Sequence, residues 1–449
     1  MTIDDELTVL LPDFLARQRW YVGAEPPESV EIIDEVRLAE GPDDQPGLLW
    51  LLVRVPGDDA AYQVPVGLRP LDQMEKWLQG KGRSLIGDLD DDDRPLLAYD
   101  AMIDPELVPL LLEQAAPGVV EDTTTRALAV EQSNTSVIIG EEVVLKVFRR
   151  VHDGPNPDAE VVEALASTSF ASTPRPVGTW RRSGRDLAVV RTFLKGSADG
   201  WQLAMTSLRD LYDRRLPPAE CGGDFAPSSG RLGSLVAQLH LALAAAFGSH
   251  EADPARWLEA LEAGLDDLAS GDGEGLDGLD GPLVARARQR YQSLRGLTGA
   301  GMSIRIHGDL HLGQLLRSDD GWFVLDFEGE PRVPSAQRRQ PSSPLRDVAG
   351  MLRSFHYAAA AALLERNEKG DAELEVLAQA WEDRNGSAFL AAYLNEPGID
   401  DLLPNDDGVL YTILGAFELG KAVYEVGYER AHRPDWLSIP QHAIERLLR

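Results

Sequence analysis

The sequence predicts an α+β fold, because strand-like and helix-like segments are both abundant and are unevenly distributed along the chain. Up to about residue 200, short apolar runs rich in β-branched residues alternate with turn-forming segments. After residue 200 the apolar residues recur with helical spacing, as in WQLAMTSLRDLYDRRL and RLGSLVAQLHLALAAAF. The chain has 449 residues, more than one hydrophobic core usually serves, so two or three packed units are expected.

Changes in this pattern divide the chain into three parts. In residues 1–95 an amphipathic helix, LPDFLARQRW, precedes the strand-like runs VEIIDEVRL, LLWLLVRV and AYQVPVGL, and the part ends in an acidic segment, GDLDDDDRP, predicted to be a surface turn. Residues 96–200 hold two β-rich runs around a polar turn, followed by the helix-compatible NPDAEVVEALAS. Residues 201–449 are predicted to be helical, with the glycine-rich SGDGEGLDGLDGP as a flexible loop.

Composition excludes several classes of function. Lys and Arg together number 43 against 74 Asp and Glu, a formal charge of -31, which disfavours binding to nucleic acid or to an anionic membrane. A single cysteine, Cys221, excludes an internal disulfide and a cysteine-built zinc site. The first residues lack a basic region before an apolar stretch, and the apolar LVAQLHLALAAAF is too short to span a bilayer. We therefore expect a cytoplasmic protein.

The most informative segment is SIRIHGDLHLGQLLRSDDGWFVLDFEGEP, in which two β-prone runs bracket a polar stretch. It supplies Asp309, then Gln314 five residues later, then Asp326 after the second run. Protein kinases space a catalytic-loop Asp, a metal ligand and a second, metal-binding Asp in this way. In this interpretation Asp309 orients the attacking hydroxyl and accepts its proton, while Gln314 and Asp326 hold Mg²⁺ on the phosphates. The alternative is a polar loop without chemistry.

Two histidines in the same segment allow a second interpretation. His307 and His311 have the HxxxH spacing that places two metal ligands on one face of a helix. Gly308 and the adjoining strand argue against a helix there, so His307 is predicted to be a scaffold of the loop. His311 is assigned to the substrate site.

An upstream lysine fits the same kinase layout. Lys146 lies in the strand-like VVLKVF, and Glu160 follows fourteen residues later near the start of a predicted helix, placed to pair with it. The preceding turn, EQSNTSV, lacks the glycines of a phosphate loop, so contacts to ATP phosphates would depend on its backbone amides and on Ser133, Thr135 and Ser136. The alternatives are a solvent-facing lysine and an ordinary polar hairpin.

Longer motifs resemble one family. The segments VEQSNTSVI, LKVFRRV, GWQLAMTSLRDLY, GGDFA, HGDLHLGQLLR, DFEGEP, SPLRDVAGMLRSF and KAVYEVGYERAHRPDWLSIP are similar to those of the actinobacterial maltokinases, from RQRWYVG near residue 18 to the C-terminus. The resemblance implies a bilobal, protein-kinase-like fold of the aminoglycoside phosphotransferase type with an N-terminal cap. It also implies ATP-dependent phosphorylation of maltose to maltose 1-phosphate for α-glucan synthesis, and association with a trehalose synthase.

The C-terminal YEVGYERAHRPDW is suited to bind a sugar. Tyr428 and Trp436 can stack on pyranose faces, and Glu425, Arg433 and Asp435 can hydrogen-bond hydroxyls. The alternative is that the aromatic residues belong to the hydrophobic core.

Three questions stay open at this level. His356 stands where the resemblance implies an acidic residue, and it either touches the sugar or lies at the surface. Kinases of the same fold phosphorylate glucosamine, and ADP release driven by glucosamine instead of maltose would identify that function. A third hypothesis is a catalytically silent scaffold for a partner enzyme, whose signature would be the loss of Asp309, Gln314 or Asp326; all three are present.

Overall fold

A computed structural model describes residues 3–23, 25–41, 45–71, 80–91, 94–128, 133–270, 281–330, 333–366 and 370–449. These residues form two compact units, the first made of Met1–Glu163 and Pro174–Lys195, the second of Ala164–Thr173 and Gly196–Arg449. The predicted glycine-rich loop spans residues 270–282, of which 271–280 lie outside the described residues, and its ends belong to helices that finish at Ser270 and start at Gly281.

The helices are α1 (Ile3–Ala16), α2 (Val108–Ala115), α3 (Pro157–Leu165), α4 (Gly200–Arg214), α5 (Ala226–Phe247), α6 (Pro254–Ser270), α7 (Gly281–Tyr291), α8 (Ser335–Arg338), α9 (Leu345–Glu365), α10 (Ala372–Leu394), α11 (Asp407–His432) and α12 (Ser438–Leu447). The strands are β1 (Glu31–Ala39), β2 (Gly47–Arg54), β3 (Ala61–Pro70), β4 (Leu85–Asp91), β5 (Arg94–Asp100), β6 (Thr125–Ala127), β7 (Asn134–Ile139), β8 (Val143–Phe148), β9 (Arg150–Val151), β10 (Pro176–Arg182), β11 (Arg185–Thr192), β12 (Ala198–Asp199), β13 (Ser249–Glu251), β14 (Met302–Ile304), β15 (Leu315–Ser318) and β16 (Gly321–Val324).

The first sheet is antiparallel, with strand order β1-β2-β3-β5-β4 and β9 added beside β3. The continuous apolar run of β2 is explained by burial on both faces. Its residues alternate between a core shared with α1, which takes Leu49 and Leu51, and a second core on the opposite face, which takes Leu48 and Trp50. The acidic segment predicted to be a surface turn instead belongs largely to paired strands, because β4 pairs with β5 as far as Asp91 and Arg94, and the rest of the predicted turn, residues 92–93, lies outside the described residues.

A second sheet in the same unit has the order β10-β11-β8-β7-β6. Helix α2 packs on β10 and β11, at a distance that requires Gly178: a Cβ there would lie 2.0 Å from the carbonyl oxygen of Ala115. The two sheets are joined by the buried Gln63, whose amide nitrogen donates to the carbonyls of Phe148 and Leu187, at 2.8 Å each. Both sheets therefore share one core.

The second unit is mainly helical, with α5 packed on α10 and α9 packed on α11. Its strands form a three-stranded sheet, β12-β15-β16, and a two-stranded sheet, β13-β14. The apolar run LVAQLHLALAAAF, predicted to be too short to span a bilayer, is part of the longer helix α5. This helix has 22 residues, so the prediction about its length is wrong. Within the described residues α5 is long and apolar enough to cross a membrane, but 50% of its apolar window is buried inside the fold, as is typical of a core helix.

The contact of α5 with α10 gives a first prediction. A Cβ on Gly233 would lie 2.1 Å from the carbonyl oxygen of Phe389, whereas a Cβ on Gly230, one turn earlier, would find Ala388 only at 3.8 Å. Gly233→Ala should therefore destabilise the protein by about 3 kcal/mol. Gly230→Ala should be neutral or stabilising by up to about 1 kcal/mol, because alanine favours a helix. Urea denaturation of the two variants measures this difference, and equal shifts would contradict the close packing.

Candidate active site

The turn that carries Asp309 is held by a buried carboxylate. Asp347, in the first turn of α9, accepts the backbone N–H of His307 at 2.8 Å and that of Gly308 at 2.9 Å, one on each carboxylate oxygen. Gly308 has a φ of 85°, a left-handed conformation that favours glycine. The backbone direction at Asp309 is thus fixed from α9.

His307 has the scaffold role that the sequence predicts. Its Nε2 lies 2.8 Å from the carbonyl oxygen of Leu325, so it donates there, and its Nδ1 accepts the backbone N–H of Asp309 at 3.3 Å. These contacts require the neutral tautomer with its proton on Nε2. Both ring nitrogens are engaged and the segment is not a helix, so the HxxxH interpretation is wrong.

A buried polar chain extends from this turn into the helical core. His240 on α5 lies between Asp347, at 3.1 Å from Nε2, and the Tyr393 hydroxyl, at 2.9 Å from Nδ1. Burial raises the pKa of Asp347, but the His240 hydrogen bond and the backbone N–H donors outweigh it and the net pKa is lowered. Sequence reasoning missed His240 and Asp347 as site residues. The only available signal was the motif that contains Asp347.

Asp309 itself is paired with a cation that the sequence interpretation did not include. Lys421 on α11 places its Nζ 2.8 Å from Asp309 Oδ1 and 2.7 Å from Glu330 Oε1, and Arg346 binds the other oxygen of Glu330 at 2.9 Å. Burial raises the pKa of Asp309, but the Lys421 ammonium overcomes this and holds that pKa well below its usual range. Burial lowers the pKa of Lys421, and the two carboxylates raise it further than burial lowers it. Both groups are therefore ionised.

Gln314 and Asp326, predicted as metal ligands, lie together. The Gln314 amide nitrogen is 3.4 Å from Asp326 Oδ2, and the backbone of Gln314 accepts the N–H of Leu325 at 2.9 Å. Asp326 has a φ of 59°, unusual for a non-glycine residue and typical of functional sites. A carboxylate and an amide oxygen are the hard donors that Mg²⁺ prefers, so this pair fits the ion.

His311, predicted to contact the substrate, lies at the start of a one-turn 3₁₀ helix. Its Nδ1 accepts the backbone N–H of Gly313 at 3.0 Å, and burial lowers its pKa, which favours the neutral ring. Asp199, at the end of β12, interacts electrostatically with His311, and burial raises the pKa of this carboxyl. Sequence reasoning also missed Asp199. Asp199 caps the N-terminus of α4, and its local sequence indicates nothing beyond that capping role.

In the first unit, Lys146 is buried and bound to a carboxylate of α3. Its Nζ lies 3.1 Å from Asp158 Oδ2, and Arg191 on β11 binds the same oxygen at 2.8 Å. Asp158 precedes the predicted partner, Glu160, by two residues in the first turn of α3. The pairing of Lys146 with Glu160 stays a prediction, and Asp158 is a partner that spacing alone did not identify.

The three hydroxyls of the predicted phosphate loop are not equivalent. Ser136 lies directly opposite Lys146 in the β7–β8 ladder, so both side chains are on one face of the sheet. Thr135 points to the other face, where its hydroxyl accepts from Arg149 at 2.8 Å. Ser133 precedes β7, and its hydroxyl accepts from the amide of Asn134 at 3.1 Å. The first two residues of that loop, 131–132, are outside the described chain.

A polar stripe on α11 connects Asp309 with the predicted sugar residues. Lys421, Tyr424, Glu425 and Tyr428 follow the spacing of one helix face, and all four are partly exposed. Glu425 is fixed by Arg353 of α9, whose Nη2 lies 2.6 Å from Glu425 Oε2. We refer to these four residues of α11 as the polar stripe.

Arg433 and Trp436 lie where the polar stripe ends. The Arg433 guanidinium is 4.6 Å from the ring centre of Trp436 and 5.6 Å from that of Tyr428, and it binds Glu429 at 2.7 Å. The structure therefore brings three of the predicted sugar-binding side chains together. Trp436 also stacks on Tyr357, with ring centres 5.9 Å apart, and Asp435 is exposed beside it. The predicted aromatic residues thus lie at the edge of the core, partly exposed.

Comparison with known proteins agrees with this geometry. Residues 14–104 match the family described as the maltokinase N-terminal cap domain. A glucosamine kinase from Streptacidiphilus jiangxiensis is 32% identical over 359 residues, which cover 75% of this chain and 76% of that protein. A glucosamine kinase from Mycolicibacterium smegmatis is 31% identical over 340 residues, covering 72% of this chain and 79% of the relative. The chain belongs to the maltokinase-like kinase family.

Solved structures of this family have the same fold. One crystal form of a glucosamine kinase superposes with a TM-score of 0.72 at 25% identity, over 100% of this chain and 98% of the other. A glucosamine kinase in complex with glucosamine, ADP and inorganic phosphate gives a TM-score of 0.66 at 25% identity, over 98% and 99% of the two chains. The predicted α+β kinase fold with an N-terminal cap is confirmed, and the chain is a kinase-type, nucleotide-binding transferase.

His356 is not a surface residue, because only 13% of its side chain is exposed, and its contact with a sugar stays a prediction. Its Nδ1 is 2.9 Å from Glu382 Oε2, and Arg446 of α12 binds the same carboxylate. Burial lowers the pKa of His356, so the ring is neutral in this cluster. Glu418, one turn before Lys421 on α11, lies near Glu382 and Arg353, and burial raises its pKa to about 7.

This raised pKa predicts a pH-dependent stability. Because folding raises the pKa of Glu418 above its ordinary value of 4.5, a proton on this carboxyl stabilises the folded state. This stabilisation is fully present below pH 4.5 and is lost as the pH rises through 7. Glu418→Gln cannot ionise, so its advantage over the parent should grow by about 2 kcal/mol between pH 5 and pH 8, allowing for partial exposure. Denaturant unfolding at the two pH values measures this change. The exposed Glu375→Gln on α10 is the control, and parallel curves for both variants would contradict the assignment.

Proposed function

We propose that this kinase transfers the γ-phosphoryl group of ATP to the anomeric hydroxyl of maltose, with Mg²⁺, and so forms maltose 1-phosphate. The observation that carries the proposal is the polar stripe, which begins at the partner of Asp309 and ends beside Arg433 and Trp436. Lys421 and Tyr428 are seven residues apart, so their Cα atoms are separated by about 10 Å along α11. A disaccharide spans that length and a monosaccharide does not.

Asp309 is the proposed base, and its charge state limits how it acts. A carboxylate whose pKa lies well below the usual range is a weak proton acceptor. Phosphoryl transfer passes through a loose transition state and depends mainly on positioning and charge stabilisation. Asp309 therefore orients the sugar hydroxyl by accepting its hydrogen bond, and it takes the proton once the bond to phosphorus has formed.

The remaining residues supply binding. Asp326 and Gln314 would hold Mg²⁺, which when bound neutralises phosphate charge. Lys146, whose ammonium is fixed by Asp158, would contact nucleotide phosphates, with Ser133 and Ser136 as further donors.

Glucosamine is the second candidate substrate. The two curated relatives are glucosamine kinases, and a solved relative is in complex with glucosamine. Maltose is favoured by the match to the maltokinase cap domain and by the length of the polar stripe. The proposal includes a cytoplasmic location, a three-part division at about residues 95 and 200, and supply of α-glucan synthesis. Association with a trehalose synthase is proposed from the sequence resemblance alone.

The test is a coupled ADP-release assay with ATP and Mg²⁺ across maltose, glucosamine, glucose and aminoglycosides. We expect maltose to give the highest kcat/KM. If another sugar is phosphorylated and maltose is not, the kinase activity stands and maltose is not the substrate. No turnover with any of them would favour a binding scaffold.

Asp309→Asn should reduce kcat by at least about a thousandfold, because an amide neither accepts the proton nor pairs with Lys421 in the same way. The fold should remain, which circular dichroism and the melting temperature monitor. Asp319→Asn, in the exposed turn between β15 and β16, removes the same charge and should retain full activity. Parent-like turnover by Asp309→Asn would contradict its assignment.

Asp326→Asn should raise the Mg²⁺ concentration needed for half-maximal rate by tenfold or more, because the ion loses a charged oxygen ligand. A magnesium titration of the parent and the variant measures this requirement. Superimposable titrations would remove Asp326 from the metal site.

A further inference from the structure

The charges around Asp309 are balanced within the protein. Two carboxylates, Asp309 and Glu330, face two cations, Lys421 and Arg346, with Lys421 bridging both carboxylates. His307 and His311 are the other titratable neighbours of Asp309 on its loop, and Tyr424 lies under the ammonium with its ring centre 4.8 Å from Lys421 Nζ. The side chains of Asp309 and Lys421 are 19% and 16% exposed, so a bound molecule can reach both.

This arrangement places the ammonium of Lys421 at the acceptor position, and the carboxylates of Asp309 and Glu330 are both already paired there with cations. A sugar hydroxyl bound to Asp309 lies two hydrogen bonds from Lys421 Nζ, a separation of about 5 Å. In glucosamine the amino group is on the carbon next to the anomeric carbon, so its ammonium would share this region. Two like charges at that distance, with an effective dielectric constant near 20, weaken binding by at most several-hundredfold, and the Asp309 carboxylate, already paired with Lys421, opposes this repulsion only in part.

We propose that Lys421 is a specificity-determining residue that excludes protonated amino sugars from the acceptor position and leaves it open to neutral ones. This inference rests on the proposed function, because it requires the acceptor to bind at Asp309. Without Lys421 the same cluster would carry a net negative charge and would attract an ammonium group. The residue also positions Asp309, so loss of activity alone does not test its role in specificity.

The experiment compares two inhibitors of the same size during turnover of maltose. Glucose and glucosamine differ only at the carbon next to the anomeric carbon, so the ratio of their inhibition constants reports on the charge. For the parent at pH 6.5 we expect glucosamine to inhibit at least tenfold more weakly than glucose. As pH rises and the amine loses its proton, the two inhibition constants should converge, and this series needs no variant.

Three variants separate charge from shape. Lys421→Met keeps the aliphatic stem and should bring the ratio at pH 6.5 to one or below, whatever its effect on kcat. Lys421→Arg retains the charge and should retain the discrimination. Arg231→Met, on the exposed surface of α5, controls for the change in net charge and should leave the ratio unchanged.

The outcomes distinguish this inference from the proposed function. A parent that fails to phosphorylate maltose refutes the function; glucose and glucosamine are then compared as ligands by calorimetry over the same pH range. A parent that phosphorylates maltose but is inhibited equally by the two sugars, or whose ratio is the same in Lys421→Met, refutes only the role of Lys421. Absence of inhibition by glucose would also refute it, because size and not charge would then exclude glucosamine.

Discussion

The carboxylate of Asp347 is the constraint on which the candidate active site depends. It is buried at the start of α9, where it accepts two consecutive backbone N–H groups of the turn that presents Asp309. A buried carboxylate with these donors is stabilised in its charged form, and removing it would leave two buried N–H groups without partners. His240 and Tyr393 then hold Asp347 from α5 and α10. The turn that carries Asp309 is thereby connected to three core helices.

Helix α11 adds the second constraint, because one of its faces is polar inside the second unit. The polar stripe would be unfavourable in an apolar core, and each charge on it is balanced by an opposite charge from another segment. Lys421 is neutralised by Asp309 and Glu330, and Glu425 by Arg353. This pairing of opposite charges offsets the cost of placing charged side chains in a partly buried position. The net charge near Asp309 is therefore set by the whole group of paired side chains and not by one residue.

The first unit differs from the second in that its first sheet is buried on both faces. Strand β2 is apolar at every position from Leu48 to Val53, because one face covers α1 and the other joins the core of the second sheet. The side-chain amide of Gln63 donates to backbone carbonyl oxygens of Phe148 and Leu187 on the other side of that second core. The strand that bears Lys146 therefore lies on a rigid support, and the Lys146 side chain is held by Asp158.

The sequence by itself determined the α+β class, many of the strands and helices, and the kinase spacing of Asp309, Gln314 and Asp326. These features depend on periodicity and on residues close in sequence, which patterns reveal. Only the tertiary structure decided which side chains meet across long separations. Lys421 reaches Asp309 from 112 residues away. The contact of Asp158 with Lys146 depends on the rotation of α3, and the environment of His356 depends on the packing of α9, α10 and α12. Such contacts follow from packing and charge pairing in three dimensions, which no local pattern in one sequence encodes.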